Sequence, residues 1–423
     1  MRKINIGIIG LGTIGEGLFK IINSERLSIR KKFNVEINII KVCDLDYKLA
    51  KKLKIEKKLF TNNYNHIVED PKIDCVVELI GGTTIAKTIA DKAFKFNKHF
   101  VTANKALIAM YGNKLSKVAT IKNLHLMYEA SVGGGIPLLN SIKESILTNE
   151  IKSFHGILNG TCNYILSLMN DGKEFNAALS EAQNLGFAEA DPTLDINGYD
   201  TAHKVCVMAQ ECFGYSPNIK KIHIEGIEKI KKIDLDVAKE LNCKIKLIGR
   251  GKIMGKNLAL SVNPMLLKKN NPLFNVENEF NAVLIESKNL GPIMKYGYGA
   301  GMLPTASAVI TDLIRLNRDN NSSAMLSSKN YNLVNINDIQ SKFYIRFFVI
   351  NKSGYLAKIT SKFAKYKINI EKIIQNPHIT NLKKVPVVIT TKKSKFSKLN
   401  KLLSEVEKSG LTSKESIMMP FEE

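Results

Sequence analysis

Within its first fifteen residues the chain places Gly10-Leu11-Gly12-Thr13-Ile14-Gly15 directly after an apolar run (residues 4–9) and at the opening of a helix-like segment (15–23). That arrangement restricts the fold more than anything else in the sequence. The first glycine permits a tight turn, the second lets backbone approach a pyrophosphate, and the third allows a helix to lie close on a strand. Backbone N–H groups at the helix start then favour phosphate charge. The spacing therefore predicts a dinucleotide cradle made by Gly10, Gly12, Thr13, Ile14 and Gly15 at the first turn of a parallel sheet.

The pattern downstream fits such a sheet. Apolar runs at 35–42, 75–80 and 99–102 read as strands, and segments 84–96 and 114–122 have helical periodicity. Strands alternating with helices imply an α/β, doubly wound parallel sheet. From about Ser131 longer helices are expected, at 138–147 and 176–185, followed by strands at 259–263 and 282–287. A helix at 305–315 follows a glycine-rich turn at 297–301, and the polar stretch 317–330 reads as a linker. From about Phe343 a compact βαββα pattern runs to the end: strand 343–350, turn Asn351-Lys352-Ser353-Gly354, helix 355–366, strands 368–375 and 385–391, helix 395–409. A length of 423 residues suggests two or three domains.

Composition narrows the class. The 44% hydrophobic and 24% charged content is that of a globular protein, and no apolar run approaches the ~18 residues of a membrane span. The basic, apolar opening resembles a secretory leader, but Gly7, Gly10, Gly12 and Gly15 interrupt it and no cleavage site follows. Six scattered cysteines without a C-x-x-C pair predict reduced thiols and a cytoplasmic protein. The net charge of +23 invites a nucleic-acid partner. The lysines are dispersed, however, with no zinc-finger spacing or aromatic RNA-binding motif, so neither nucleic acid nor membrane is expected as a partner.

Asp44 closes the second strand, where a carboxylate can receive a ribose hydroxyl, somewhat beyond the usual ~20 residues. Lys41 and Lys48 stand close enough to accept a 2′-phosphate instead, so NAD and NADP are both open. The richest stretch is 181–204, E-A-Q-N-L-G-F-A-E-A-D-P-T-L-D-I-N-G-Y-D-T-A-H-K. A helix ends there with Gly186 as cap, and an acidic loop carries Glu189, Asp191 and Asp195. A second helix, beginning near Gly198, puts Asp200 and Lys204 on one face. Taken alone, this is either a surface salt bridge beside an acidic loop or a site for a small zwitterion presenting an ammonium and a hydroxyl.

Ala182, Gly186, Asp191, Pro192, Asp195, Gly198, Asp200 and Lys204 each match the signature of the homoserine dehydrogenase family, which this stretch resembles. V-T-A-N-K at 101–105, Y-E-A-S-V-G-G-G-I-P at 128–137, L-N-G-T-C-N-Y at 158–164 and G-Y-G-A-G-M-L-P-T-A at 297–306 agree in order, so the likeness spans essentially the whole chain. It implies NAD(P)H-dependent, reversible reduction of L-aspartate 4-semialdehyde to L-homoserine, on the route to threonine, methionine and isoleucine. By the same resemblance Lys204 gives the proton to the carbonyl oxygen, Asp200 orients lysine and substrate, and Glu189 and Asp195 bind substrate. Lys105, at the end of a strand, is the second lysine near nicotinamide and substrate, and Gly81, Gly186, Gly299 and Gly301 join the coenzyme site. Residues 129–136 resemble the family's monovalent-cation loop, with backbone carbonyls of Glu129, Val132, Gly134 and Ile136 holding sodium.

The implied architecture is a Rossmann-type domain (1–130), an α+β catalytic and dimerisation domain (131–318, with 297–318 packing back toward the coenzyme domain) and a ferredoxin-like ACT domain (340–423). The last resembles ACT modules in N-K-S-G-Y-L-A-K-I-T. Such modules pair across chains and bind amino acids at the strand-to-helix turn, here Asn351, Gly354 and Leu356, with threonine as the effector. Asn351 and Ser353 depart from the more usual D-R/K-P-G, which leaves a purely dimerising module as the alternative. A monofunctional enzyme is expected, since the coenzyme strand begins at residue 4, and the resemblance implies a homodimer or homotetramer. A non-catalytic amino-acid sensor on the same fold is the other reading. His203 is read as structural, and His155, ahead of a strand-like segment, as a core or interface residue.

Overall fold

The computed structural model describes residues 1–146, 149–316, 329–375 and 383–422. Residues 317–328 of the expected linker and Leu147 of the expected helix lie outside them. The chain forms two compact units. The first holds residues 1–151, 203–219 and 287–330, and the second 152–202, 220–286 and 331–423.

The first unit begins with β1 (Arg2–Ile9), α1 (Thr13–Ser24), α2 (Arg26–Phe33), β2 (Val35–Cys43), α3 (Tyr47–Lys52), β3 (Phe60–Thr61), α4 (Asn65–Val68) and β4 (Cys75–Glu78). It continues with α5 (Thr84–Lys95), β5 (His99–Thr102), α6 (Lys105–Ile121), β6 (Leu126–Met127) and α7 (Leu139–Ile146). Six strands line up as β3-β2-β1-β4-β5-β6, all parallel. The order reverses direction between β1 and β4, and in open α/β sheets ligands bind beyond the strand ends at that point. The register brings Ile9, Cys43, Glu78 and Thr102 to one edge. Later in the chain, β12 (Gly291–Tyr298) and α13 (Met302–Leu316) return to this unit. Ala306, Val309, Ile310 and Leu313 of α13 share one apolar core with Ile4, Ile6, Ile8 and Leu18. A methyl group on Gly17 would lie 2.7 Å from Met302, so the glycine lets α1 and α13 approach closely.

The second unit contains β7 (Ile151–Ile157), α8 (Gly160–Asn170), α9 (Phe175–Asn184) and α10 (Thr193–Ile196), and α11 (Tyr199–Phe213) starts in it. β8 (His223–Ile224), α12 (Lys232–Glu240), β9 (Cys243–Met254), β10 (Asn257–Lys268) and β11 (Phe280–Ser287) follow. Strands β11-β7-β9-β10 lie side by side, with β8 and β13 (Asn332–Leu333) on β10. The helix expected at 176–185 is α9, shifted by one residue. The strand expected at 259–263 lies within β10, which is longer and forms the second arm of a hairpin. That β9–β10 hairpin has twelve paired positions, and its apolar residues fill both faces, which hides strand alternation.

The chain ends with β14 (Gln340–Ser341), β15 (Phe343–Ile350), α14 (Tyr355–Lys365), β16 (Ile370–Gln375), β17 (Lys384–Thr391), β18 (Ser394–Lys395), α15 (Phe396–Lys408) and β19 (Ile417–Pro420). The antiparallel order β16-β17-β15-β19 with two helices on one face is ferredoxin-like. The sequence pattern missed β19, which completes a βαββαβ module. The module is tied to α12 within the unit by Arg346, fully buried against Asp234 at 2.8 Å, with the Tyr344 hydroxyl donating to the same carboxylate.

Candidate active site

In the first unit a tight glycine turn leads from β1 into α1 at the place where the sequence expects one. Gly10 has φ +100°, and a methyl group on Gly15 would fall 2.0 Å from the Gly10 carbonyl oxygen, so both positions require glycine. Gly12 is different, since nothing lies within 4 Å of where its Cβ would be. It is the N-cap of α1 and provides no side-chain cap, so the helix start offers bare N–H groups to an anion. The Asp44 carboxylate accepts from Leu11 N–H at 2.6 Å and Asp46 N–H at 3.0 Å, which fixes the loop beside β2. Lys41 pairs with Asp70 at 3.4 Å, whereas Lys48 is exposed at the start of α3.

Lys105 is corrected from the end of a strand to the first residue of α6. β5 stops at Thr102, and Asn104 caps the helix by accepting from Leu107 N–H at 3.0 Å. Behind it runs a polar chain. The Thr102 hydroxyl donates to Glu78 at 2.7 Å and accepts from Asn104 N–H, and the Asn104 amide donates to the Gly82 carbonyl at 2.6 Å. The Glu78 carboxylate also accepts from Ile80 and Gly81 N–H, holding the Gly81 turn (φ +74°). Burial pushes the Glu78 carboxyl up. The expected strand at 75–80 thus ends at Glu78, whose side chain takes the place of further sheet hydrogen bonds.

The glycine run at 133–135 is a docking surface for the turn after β12. A methyl group on Gly134 would meet Gly299 at 2.6 Å, and one on Gly135 would meet Pro304 at 2.7 Å. Two residues of the expected 297–301 turn belong to β12, and Gly301, at φ +108°, precedes α13. The Glu129 carboxylate accepts from Leu139 and Asn140 N–H, and Glu129 N–H donates to Asp312 at 2.9 Å. Burial and the neighbouring Glu129 push the Asp312 carboxyl up to about 7. Two buried carboxylates therefore stand behind the loop whose carbonyls (Glu129, Val132, Gly134, Ile136) the sequence marks for a cation. The Tyr128 hydroxyl donates to Glu211 of α11, and Lys143 lies 3.6 Å from the same carboxylate.

In the second unit, the 158–164 segment holds the acidic loop. Asn159 caps α8 by accepting from Cys162 N–H at 2.8 Å, and its amide donates to Asp195 at 2.7 Å and Asp200 at 2.8 Å. The Thr161 hydroxyl donates to the Phe187 carbonyl, and the Cys162 thiol to the Asp195 carbonyl. Gly186 (φ +76°) ends α9, and Phe187 and Ala188 N–H return to the Ala182 carbonyl. Asp200 and Lys204 sit one turn apart on α11, 6% and 9% exposed. Glu189 is not drawn into this hydrogen-bonded group; its side chain is exposed on the loop, and its carbonyl accepts from Gln183. His155 is corrected to the interior of β7, and Glu422 lies beside it.

Sequence reading assigned no role to Asn159, Glu78, Thr102, Asn104 or Asp312. For Asn159 and Asn104 a signal existed, an asparagine just before a helix, but their long-range partners could not be read from it.

A family profile described as "Homoserine dehydrogenase, NAD binding domain" matches residues 10–129, one described as "Homoserine dehydrogenase" matches 137–314, and one described as "ACT domain" matches 343–408. The chain is 37% identical over 401 residues to a homoserine dehydrogenase of Neisseria gonorrhoeae, with 92% of each covered. The crystal structure of a homoserine dehydrogenase from Thiobacillus denitrificans superposes with a TM-score of 0.91 at 32% identity, covering 100% of this chain and 99% of that one. A hyperthermophilic archaeal homoserine dehydrogenase in complex with NADPH superposes with a TM-score of 0.64 at 29% identity over 74% of this chain and 98% of that one.

Proposed function

We propose how the work is divided among the residues of this chain, which belongs to the homoserine dehydrogenase family and is an NAD(P)-dependent oxidoreductase with homoserine dehydrogenase activity. The observation that carries the proposal is the start of α11. Lys204 and Asp200 are buried there one turn apart, and Asp200 is held by an asparagine fixed at its own helix end.

Lys204 gives a proton to the carbonyl oxygen of L-aspartate 4-semialdehyde on reduction and takes it from the hydroxyl of L-homoserine on oxidation. Asp200 orients that ammonium, and Asn159 is the positioning residue that prevents Asp200 from turning away. Asp195, on the same amide, and Glu189 on the loop receive the substrate ammonium. Lys105 supplies a second positive charge, and Glu78, Thr102 and Asn104 fix the helix start that carries it.

The open space above Gly12 and the bare N–H groups of α1 fit the pyrophosphate of NAD or NADP. When bound, the nicotinamide supplies or accepts the hydride. Asp44 serves to meet an adenosine ribose and Lys48 a 2′-phosphate, so the chain carries a group for each coenzyme. Gly81, Gly186, Gly299 and Gly301, all in turns, complete the coenzyme contacts. Carbonyl oxygens of Glu129, Val132, Gly134 and Ile136 suit a sodium ion, whose charge would offset the buried Glu129–Asp312 pair. Threonine at the turn of Asn351, Gly354 and Leu356 would act as effector. Gly354 is in the left-handed region at φ +84°, and nothing lies within 4 Å of where a methyl group on it would stand, so the turn is open. The active enzyme is a homodimer or homotetramer in the cytoplasm.

The test is homoserine-dependent reduction of NAD⁺ and NADP⁺ at alkaline pH by wild type and Lys204→Ala. Loss of most turnover with coenzyme binding intact supports the proton-transfer role. Wild-type turnover in the variant would refute it.

A further inference from the structure

The second unit contains a cleft of about 550 Å³ that shares no residue with the acidic loop. Its walls are the strands of the enzyme sheet, the connector leading into the C-terminal module, and the C-terminal tail. Charges of both signs face it, Arg250 and Lys252 on one side of the balance and Glu286, Asp338 and Glu422 on the other, with His155 beside them. Leu284 and Phe421 supply an apolar patch.

Glu422 is the most informative of these groups. Its side chain is 5% exposed, with one oxygen 2.5 Å from His155 Nδ1. The other oxygen has no hydrogen-bond partner and lies 3.6 Å from Arg250. A buried carboxylate oxygen without a donor is costly, and such groups commonly mark a place that a ligand or ion completes. Burial pushes the Glu422 carboxyl up, but the contact with His155 and the charges of Arg250 and Lys252 outweigh it, so it is an anion at neutral pH. Three carboxylates disfavour a phosphate ligand, and the cations of Arg250 and Lys252 disfavour a polyamine. A molecule carrying one charge of each sign and a short side chain suits both the volume and the lining.

The position of the cleft connects two regions. His155 is opposite Arg250 in the β7–β9 pairing. Four residues past His155, just beyond the end of β7, stands Asn159, whose amide holds Asp195 and Asp200. On the other side, the Ser341 hydroxyl donates to the Phe421 carbonyl, Phe421 N–H to Lys342, and Glu422 N–H to Leu266 of β10. An occupant would therefore touch the strand that leads to Asn159 and the two segments that fasten the C-terminal module to the enzyme sheet.

We propose that this cleft is a second effector site, taking a small zwitterionic α-amino acid with its carboxylate on Arg250 and Lys252 and its ammonium on Glu286 and Glu422. Occupancy is relayed along β7 to Asn159. The relay rests on the role given to Asp200 above, whereas binding does not.

The experiment is calorimetric titration of the full chain with L-threonine, L-valine and L-methionine, none of them the substrate. L-Threonine methyl ester and N-acetyl-L-threonine, each lacking one charge, serve as controls. At least one of the three amino acids is expected to bind and the controls are not. Lys252→Ala and Glu286→Gln, both at exposed positions that tolerate change where Arg250 would not, are each expected to weaken binding roughly tenfold or more. Asn351→Ala at the turn of the C-terminal module is expected to leave that binding in place. In the Asn351→Ala protein, which lacks the effector turn, no binding by any amino acid, or binding that survives added Lys252→Ala and Glu286→Gln, overturns the proposal. Binding that leaves kcat/KM for homoserine unchanged overturns the relay. Because binding is read without turnover, an inactive protein that still binds would refute the catalytic assignment and not this one.

Discussion

Replacing Asn159 separates its two roles, because one oxygen caps α8 and one amide nitrogen holds two carboxylates. Serine caps a helix about as well as asparagine, but it cannot donate to both Asp195 and Asp200. Asn159→Ser should therefore keep the cap and lose two charge-assisted hydrogen bonds, each worth about 1.5–3 kcal/mol. Water will recover part of this, leaving roughly 1.5–3 kcal/mol, or about a ten- to hundredfold fall in kcat/KM. Because Asn159 acts through Asp200 on the lysine and through Asp195 on the substrate ammonium, the fall should appear in kcat and in the KM for homoserine, with coenzyme affinity unchanged. Asn159→Ala should show the same kinetic loss and, without the cap, an additional ~1 kcal/mol of instability, or about 2–4 °C in Tm. The assays are steady-state homoserine oxidation and thermal unfolding of the three proteins side by side. If Asn159→Ser retains wild-type kcat/KM while Asn159→Ala loses only stability, Asn159 is a helix cap alone and the positioning argument fails.

Three other outcomes follow from the geometry. Gly15→Ala must move a methyl group away from the Gly10 carbonyl at 2.0 Å and should cost both stability and coenzyme binding, whereas Gly12→Ala should fold normally and lose coenzyme affinity alone in a fluorescence titration; equal Tm losses in both would contradict this. Asp312, with its carboxyl raised from 3.8 to about 7 in the folded protein, holds a proton there that the unfolded chain releases. Its contribution is thus fullest below about pH 4 and is lost as pH rises to about 7. Asp312→Asn should remove that slope, and parallel pH–stability curves for variant and wild type would refute it. Asp234→Ala leaves Arg346 buried without its carboxylate and should cost about 3–5 kcal/mol in denaturant unfolding; a change below ~1 kcal/mol would show that water or another group takes its place.

Much of the site was legible because its signals are local. The glycines of 10–15 encode a turn whose steric demands lie within six residues, and the Asp200–Lys204 spacing is one helical turn. Caps were legible in principle for the same reason, as Gly186 shows. The C-terminal module was read nearly to its boundaries because its apolar strand runs are bounded by polar turns and each helix has one apolar face, but β19 is only four residues, all buried, and has no pattern of its own. In the middle of the chain, strands buried on both faces lack the alternation that separates strand from helix, so β9 went unread and β10 was read short.

The sequence by itself determined the nucleotide turn, the α/β alternation, the acidic loop and the family, since these rest on residues near one another in the chain. Only the tertiary structure decided what holds them in place. Asn159 reaches Asp200 across 41 positions, Thr102 reaches Glu78 across 24, and Glu129 meets Asp312 across 183. Polar groups taken out of water must find partners wherever packing brings them, and a chain's packing is a property of all its apolar residues together. The cleft of His155, Arg250 and Glu422 is of this kind, because its charges come from β7, β9 and the C-terminal tail and become neighbours only once those segments have packed.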